Sequence, residues 1–429
     1  MKTHLQPLFL LIITLAAFSC KDKYEETYMV NAPIYLSYDE LRAPLNVKSA
    51  QDIIQPGKLY FKDNIIYVNE YMEGIHVIDN QDPSKPKILK FIEIPGNVDL
   101  AIKGNILYAD SYVDLVAIDI SNLDDIKEVA RIEDAFPYMI PEYTDGVIEE
   151  VSEEKGIVVG WQKVEKTEEI DPNQNNYQYY PYYDMMYFTE NSGARAVSTD
   201  SYGESFGVGG SMARFTISSN YLYAVDYSTL RLFNISDITD PELESEINIG
   251  WNIETIFPYK NKLFIGTMTG MLIYSLNNPA NPEFVSQFTH ISSCDPVVVE
   301  DDYAYVTLRS GNLCGESEDL LDVIDISNIH NPFLLKEYPM VEPFGLGIDN
   351  SILFVCDGSA GLKIYNAEDP LNIAANKLIQ YPDINAFDVI PLGDVLLMIA
   401  VEGLYQYDYS DLDSIHQLSY IPIYATAIN

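Results

Sequence analysis

Eight short β-prone runs recur along this chain, IIYVNE, ILYADS, IVVGWQ, YLYAVD, KLFIGT, YAYVTL, ILFVCD and VLLMIA, each ending in a turn. Their third residues, Tyr67, Tyr108, Val159, Tyr223, Phe264, Tyr305, Phe354 and Leu397, lie 41, 51, 64, 41, 41, 49 and 43 residues apart. A recurring interval of this size means one supersecondary unit stacked on copies of itself, because a single unit cannot bury its own apolar faces. A second run follows most of the first set after a short turn: GIHVIDN, LVAIDIS, LRLFNIS, MLIYSL, LDVIDIS, LKIYNA and LYQYDYS. In EGI, TGM, AGL and EGL a glycine stands just before it, where positive φ is often needed. DPSKP, DITDP, NPANP, NIHNP and AEDP come next, and proline there ends one strand and sets up another because it cannot donate to a ladder. A period of this length is that of a four-stranded blade, so we read an all-β fold, a β-propeller.

The third slot departs from the pattern. IVVGWQ supplies a second strand, but no matching third strand follows before residue 212; DPNQNNYQYYPYYDMMYF and NSGARAVSTDSYGESFGVGGS stand in its place. Tyr108 and Tyr223 are close to three periods apart, so we read eight blades, the third completed by a divergent segment near Met185 to Thr189; seven blades carrying an insert is the alternative. The insert is placed at about residues 171–210 and expected to be locally mobile, since Pro, Gly, Asn and Ser are frequent there. GVGG is read as a flexible lead into Ser211.

The N-terminus fixes the expected compartment. Lys2 and His4 precede the apolar stretch PLFLLIITLAAF, then Ser19 and Cys20, the order of an export signal over residues 1–19. The stretch is shorter than the about 20 apolar residues a membrane-spanning helix takes. A cysteine at this place points to lipoprotein processing, with Cys20 acylated. Ala17 stands where that pattern normally has Leu, and Ala17 with Ser19 also suits ordinary secretion. An exposed thiol outside the cytosol would be a liability, which favours the lipid. Residues 20–56 are then a tether and N-terminal segment, and residues 57–429 a single propeller domain.

LDVIDIS, LVAIDIS and GIHVIDN, each preceded by an aromatic-rich strand and several followed by an Asn-Pro or Asp-Pro turn, resemble the LVIVD-repeat family of propeller proteins across roughly residues 57 to 423. Lipoproteins of this combination are similar to ones of Bacteroides-like bacteria. The resemblance implies a fold and a location, an outer-membrane lipoprotein on the periplasmic or cell-surface side, touching the membrane through its lipid anchor only. It implies little chemistry, because propellers host unrelated functions and function has to be read from a site.

Acidic residues outnumber basic ones 65 to 25, for a formal net charge of -40, which repels phosphate backbones and excludes nucleic acid as a partner. The carboxylates are scattered, and no D-x-D-x-D-G loop suggests calcium. His76, His290, His330 and His416 sit in different repeats without metal-ligand spacing, and no G-x-S-x-G, H-E-x-x-H or phosphate-cradling loop is present. No catalytic, cofactor or metal residue is therefore singled out. The reading is a non-catalytic, monomeric binding or scaffolding propeller that recognises an envelope protein or glycan. The alternative is an envelope hydrolase acting on carbohydrate with acidic residues in the propeller channel. Of the 33 tyrosines, those in strands two and three are expected to pack between blades. The cluster Tyr177, Tyr179, Tyr180, Tyr182, Tyr183 and Tyr187 is either a contact surface or a loop folded over the rim.

Hairpin geometry places the remaining candidates. The start of strand one and the end of strand two lie at the same end of an antiparallel hairpin, so Cys294, before DPVVVED, comes near Cys314, after YAYVTLRS, and a disulfide between them is expected. Cys356 is then a buried free thiol. The same geometry gathers the loops between strands two and three on one face, with the third-slot insert and the loop from Arg309 to Asp319. Asp110, Tyr112, Asp226, Tyr227, Arg309 and Asp357 form the candidate binding rim, with Asp295 nearer the channel.

Overall fold

A computed structural model of the chain describes residues 24–141, 146–170, 207–289, 296–310 and 318–424. Cys20, Cys294, Asp295, Cys314, the tyrosines from 177 to 187 and insert residues 171–206 lie outside the described residues. The chain divides into two compact units, Met1–Glu40 with Met139–Tyr187 and Leu41–Tyr138 with Phe188–Asn429.

The larger unit is a ring of seven sheets, each built on four consecutive antiparallel strands. Blade 1 covers residues 56–93, blade 2 100–132, blade 3 215–248, blade 4 253–289, blade 5 297–339, blade 6 346–381 and blade 7 386–422. The first strands of consecutive blades neighbour one another and so line the axis. Blade 1 gains two extra strands, Val208–Gly209 inside its first strand and Asn46–Ser49 outside its fourth.

Eight sheets are present among the described residues, but the eighth has three strands, belongs to the smaller unit and is no blade. The ring therefore has seven blades, the alternative count. IVVGWQ does form a strand, Ile157–Ile170, but it pairs antiparallel with Tyr24–Leu36, in the segment read as a tether, while Val147–Ile148 adds to Tyr24–Leu36 in parallel. The physical reason lies in burial. The second strand of a blade is covered on both faces by neighbouring blades, as in Ile65–Glu70, where only Ile65 is partly exposed. Beyond Ile157 and Val158 the strand turns polar and alternates, with Val159 exposed.

Within each blade the inner three strands read as near-continuous apolar runs because both faces are buried, whereas fourth strands such as ELESEIN remain largely exposed and take the charge. The turns between strands one and two are short, and Asp63–Asn64 and Asn350–Ser351 hold the paired positive φ values of a two-residue hairpin turn. The acid or amide that ends the third strand is backbone carpentry. Asp79, Asp119, Asn234, Asp325, Asn366 and Asp408 each accept the N–H two residues on. The Ser121 and Ser410 hydroxyls, together with these N–H groups, hold Asp119 and Asp408 below the usual carboxylate range. Tyrosines do pack between blades, and four of their hydroxyls latch one blade to the next. Tyr108 donates to Ile238 O at 2.7 Å, Tyr223 to Pro279 O at 2.8 Å, Tyr338 to Pro370 O at 2.8 Å and Tyr381 to Ile415 O at 2.8 Å.

Blade 7 closes on blade 1 through side chains and one backbone bridge. Ile53 bridges to Ile423, and a shared apolar cluster joins Leu59, Ile66 and Val68 to Val389, Leu396 and Leu397. At its polar point Asn80 Nδ2 donates to Gln406 Oε1 at 3.0 Å and Gln406 Nε2 to Asn80 Oδ1 at 2.7 Å, with the two side chains 2% and 0% exposed. A buried amide that loses its partner keeps its desolvation cost, whereas removing both groups removes that cost. Gln406→Leu is therefore expected to lower unfolding free energy by about 2 kcal/mol. Asn80→Leu/Gln406→Leu should lose less than the single variants add up to, as measured by urea unfolding. Strict additivity would show that the pair does not act as a unit.

Candidate functional site

One face of the ring carries the hairpins between strands two and three and the links from each fourth strand to the next first strand. The candidate rim residues within the described chain lie there, distributed around the ring and each bonded into its own loops. Asp110 Oδ1 accepts from Val98 N, Asp99 N and Asn97 Nδ2 at 2.8, 2.9 and 2.8 Å. Asp226 Oδ1 caps Ser228 N and Thr229 N, and its other oxygen pairs with Arg231. Asp357, fully buried, accepts from Val341 N and Glu342 N and pairs with Lys363. Arg309 lies 4.0 Å from the Phe344 ring centroid. Tyr112 packs on Gly96, where a Cβ would meet its ring at 2.3 Å. The three carboxylates thus fasten loops to strands, and the residue that projects from this set is Tyr227, edge-on to Trp251 at 6.0 Å.

The third-slot insert leaves the ring after the fourth strand of blade 2 and returns before the first strand of blade 3, so it is a link between blades, where a strand-two-to-three loop was expected. Its return, residues 207–215, runs through the ring's axis. Val208–Gly209 pairs with Tyr60–Phe61 of blade 1, and Gly207 N donates to Ile102 O of blade 2 at 3.2 Å. Ser211 Oγ donates to Asp388 Oδ1 of blade 7 at 3.1 Å and accepts Leu346 N of blade 6 at 3.0 Å. Met212 O accepts Lys58 Nζ of blade 1 at 2.6 Å, and Ala213 O accepts Ile256 N of blade 4 at 2.9 Å. Asp99 Oδ2 of blade 2 then receives Arg214 N and Phe215 N. GVGG, read from sequence as a flexible lead, is a bonded crossing piece, and Ser211 is 2% exposed. A Cβ on Gly207 would stand 2.1 Å from Tyr60 Cε1, so glycine is what lets the backbone pass.

The crossing meets a charged layer. Pairing aligns Tyr60, Ala101, Thr216 and Ile390 with the strand-two markers Tyr67, Tyr108, Tyr223 and Leu397. Two residues before them stand Lys58, Asp99, Arg214 and Asp388, so charges alternate over blades 7, 1, 2 and 3. Lys58, Asp99 and Asp388 are 7%, 2% and 0% exposed. Burial pulls the Lys58 ammonium down to about 8 against the opposing pull of Asp99 and Asp388, and burial raises the Asp99 carboxyl. The rim candidates did not include these residues; their signal was a charge inside the otherwise apolar first strands GKLYF, VDLAI, ARFTI and AFDVI.

His76 is fully buried, with Nε2 2.8 Å from Glu70 Oε2, and is a packing histidine; His330 and His416 are exposed. Cys356 is a buried free thiol whose pKa burial raises. Among the described residues no group of three or more His, Cys, Asp and Glu could hold a metal ion. No described helix is long and apolar enough to cross a membrane.

Fold and site together define a seven-bladed β-propeller with its axis occupied by its own chain. No family model matches the chain and no curated protein matches it. It is similar in structure to the computationally designed Ika8 protein, at 11% identity over 87% of this chain and 88% of that one with a TM-score of 0.50. BamB from Moraxella catarrhalis aligns at 8% identity over 90% and 96% with a TM-score of 0.48, and Saccharomyces cerevisiae Sqt1 at 8% over 91% and 89% with 0.48. At such identities the likeness concerns fold alone.

Burial pushes the Asp110 carboxyl up to about 6, with Asp99 adding to the effect and the loop N–H groups opposing it. A folded value above the unfolded one of about 4 means that its contribution to stability is present below pH about 4 and lost as pH rises through about 6. Asp110→Asn keeps an acceptor oxygen for the same three donors and removes the titration. Urea unfolding from pH 4 to 7 should show the variant gaining on the wild type up to about pH 6 and then holding level. A pH-independent gap would contradict a raised Asp110.

Proposed function

We propose that this chain is a binding or scaffolding propeller of a bacterial envelope, held there by a lipid on Cys20, and that its loop-bearing face recognises a protein. The observation that carries this reading is the crossing segment. A carbohydrate hydrolase working in the channel needs convergent carboxylates facing a space for substrate. Asp99 and Asp388, two carboxylates of the strands that line the axis, are instead buried against the chain's own Arg214 N, Phe215 N and Ser211 Oγ. A stiff ring with its axis filled leaves its loops as the adaptable surface, and loops on a rigid scaffold are where recognition is usually built. The LVIVD-like repeats and the N-terminal leader give this propeller its expected place.

The test compares faces in intact source cells. A photo-crosslinking amino acid at Val341 or Val401, exposed on the loop face, should give adducts of discrete mass, and the same group at Asp302 or Asp413 on the opposite face should not. Adducts confined to the opposite face, or none at all, would sink the reading. Oligosaccharide hydrolysis by the purified protein, abolished by Asp388→Asn, would establish the hydrolase instead.

A further inference from the structure

The exposed aromatic pair on the loop face stands out for how firmly it is held. Trp251 is 74% exposed, in the link between blades 3 and 4, and Tyr227 at the tip of the blade 3 hairpin is 37% exposed. Folding does not require this display, since an indole left in water forgoes its burial free energy. The link is nevertheless pinned on both sides. Ile249 N donates to Ser228 O at 3.0 Å, Ile253 N to Tyr227 O at 3.2 Å and Met268 N to Asn252 O at 3.0 Å. Gly250 and Asn252, at φ 135° and 57°, turn the backbone outward on either side of the tryptophan. Asp226 fixes the hairpin beneath Tyr227, and Arg231 ties Asp226 to Glu246. Rigid, preordered tryptophan and tyrosine are the side chains that anchor protein interfaces, because little side-chain entropy remains to be lost.

Charge selects the occupant. In the described hairpins of this face, and in its described links other than the one between blades 2 and 3, the single basic residue is Arg309, which lies over Phe344. Asp52, Glu73, Glu342 and Asp383 are exposed on the same face, and Asp226 with Glu246 outnumber Arg231 beside the aromatic pair. An acidic field steers a basic surface into contact, and an arginine or lysine brought there finds an indole face for a cation–π contact. We propose that the Trp251–Tyr227 pair is the anchor point for a basic segment of a protein partner, a proposal that rests on the binding reading and names the chemistry of its ligand.

The full mature chain carrying Trp161→Phe leaves Trp251 as its sole tryptophan, and a nona-arginine peptide serves as probe. Saturable quenching or a spectral shift of Trp251 is expected, weakening steeply from low to high salt. A fluorophore-labelled peptide should bind Trp251→Ala about tenfold more weakly than wild type, a substitution at an exposed position that leaves the ring intact. Equal affinity in folded Trp251→Ala would overturn the proposal, because attraction to overall negative charge would then account for binding. A response to neutral cellohexaose without a response to the peptide would overturn it in favour of a glycan. Either failure, with loop-face crosslinks still forming in cells, condemns the basic occupant and leaves the binding reading standing; loss of those crosslinks condemns the binding reading itself.

Discussion

A ring of sheets is stable only if its last sheet packs on its first, and this chain meets that constraint by side-chain packing and a single backbone bridge. All four strands of blade 7 come from residues 386–422, so no strand is exchanged across the join. The join rests on the apolar cluster shared with blade 1, on the Asn80–Gln406 amide pair and on the Ile53–Ile423 bridge. Seen this way, the crossing segment is a second closure. Ser211 holds blade 7 through Asp388, and at the next residue of the same strap Lys58 holds it to blade 1 through Met212 O. The alternating charges of Asp388, Lys58, Asp99 and Arg214 bring opposite signs together across neighbouring blades, which reduces the cost of burying them.

That second closure has a functional consequence. Buried charges committed to backbone atoms cost stability to move, so the axis of this propeller is a structural element where a substrate tunnel would otherwise lie. Rigidity then passes to the loop face, where Asp110, Asp226 and Asp357 fasten hairpins and links. The tyrosine latches between blades act to the same end at the turns between third and fourth strands. Trp251 is presented on this stiffened surface, and the acidic composition, much of it consumed in turns elsewhere, supplies its field.

Much of the fold was legible because it repeats. Strand-two runs and their partners located each true blade, and the proline-bearing turns marked the fourth strands. The third slot misled because a short run such as IVVGW has the same β-propensity in a ribbon as in a blade; only the polar continuation KVEKTEE distinguishes them, by leaving one face unfit for burial. Acids at the ends of strand two were legible as residues of one face but not as fasteners, since a carboxylate beside a turn looks the same whether it meets a partner or a backbone amide. The charged layer was the least visible. Lys58 and Asp388 are separated by most of the chain and meet only because the ring closes, and Gly207 to Gly210 read as a flexible lead into Ser211 because glycine marks close approach as readily as it marks freedom.

The crossing of the axis is the claim on which the rest stands, and amide hydrogen exchange tests it most directly. Gly207 N, Ile256 N and Leu346 N owe their protection to partners in or across the crossing segment. The account requires them to exchange as slowly as amides in the blade interiors, such as Tyr108. Exchange at those three positions as fast as at the hairpin tips would mean that the axis is open and the segment does not cross it.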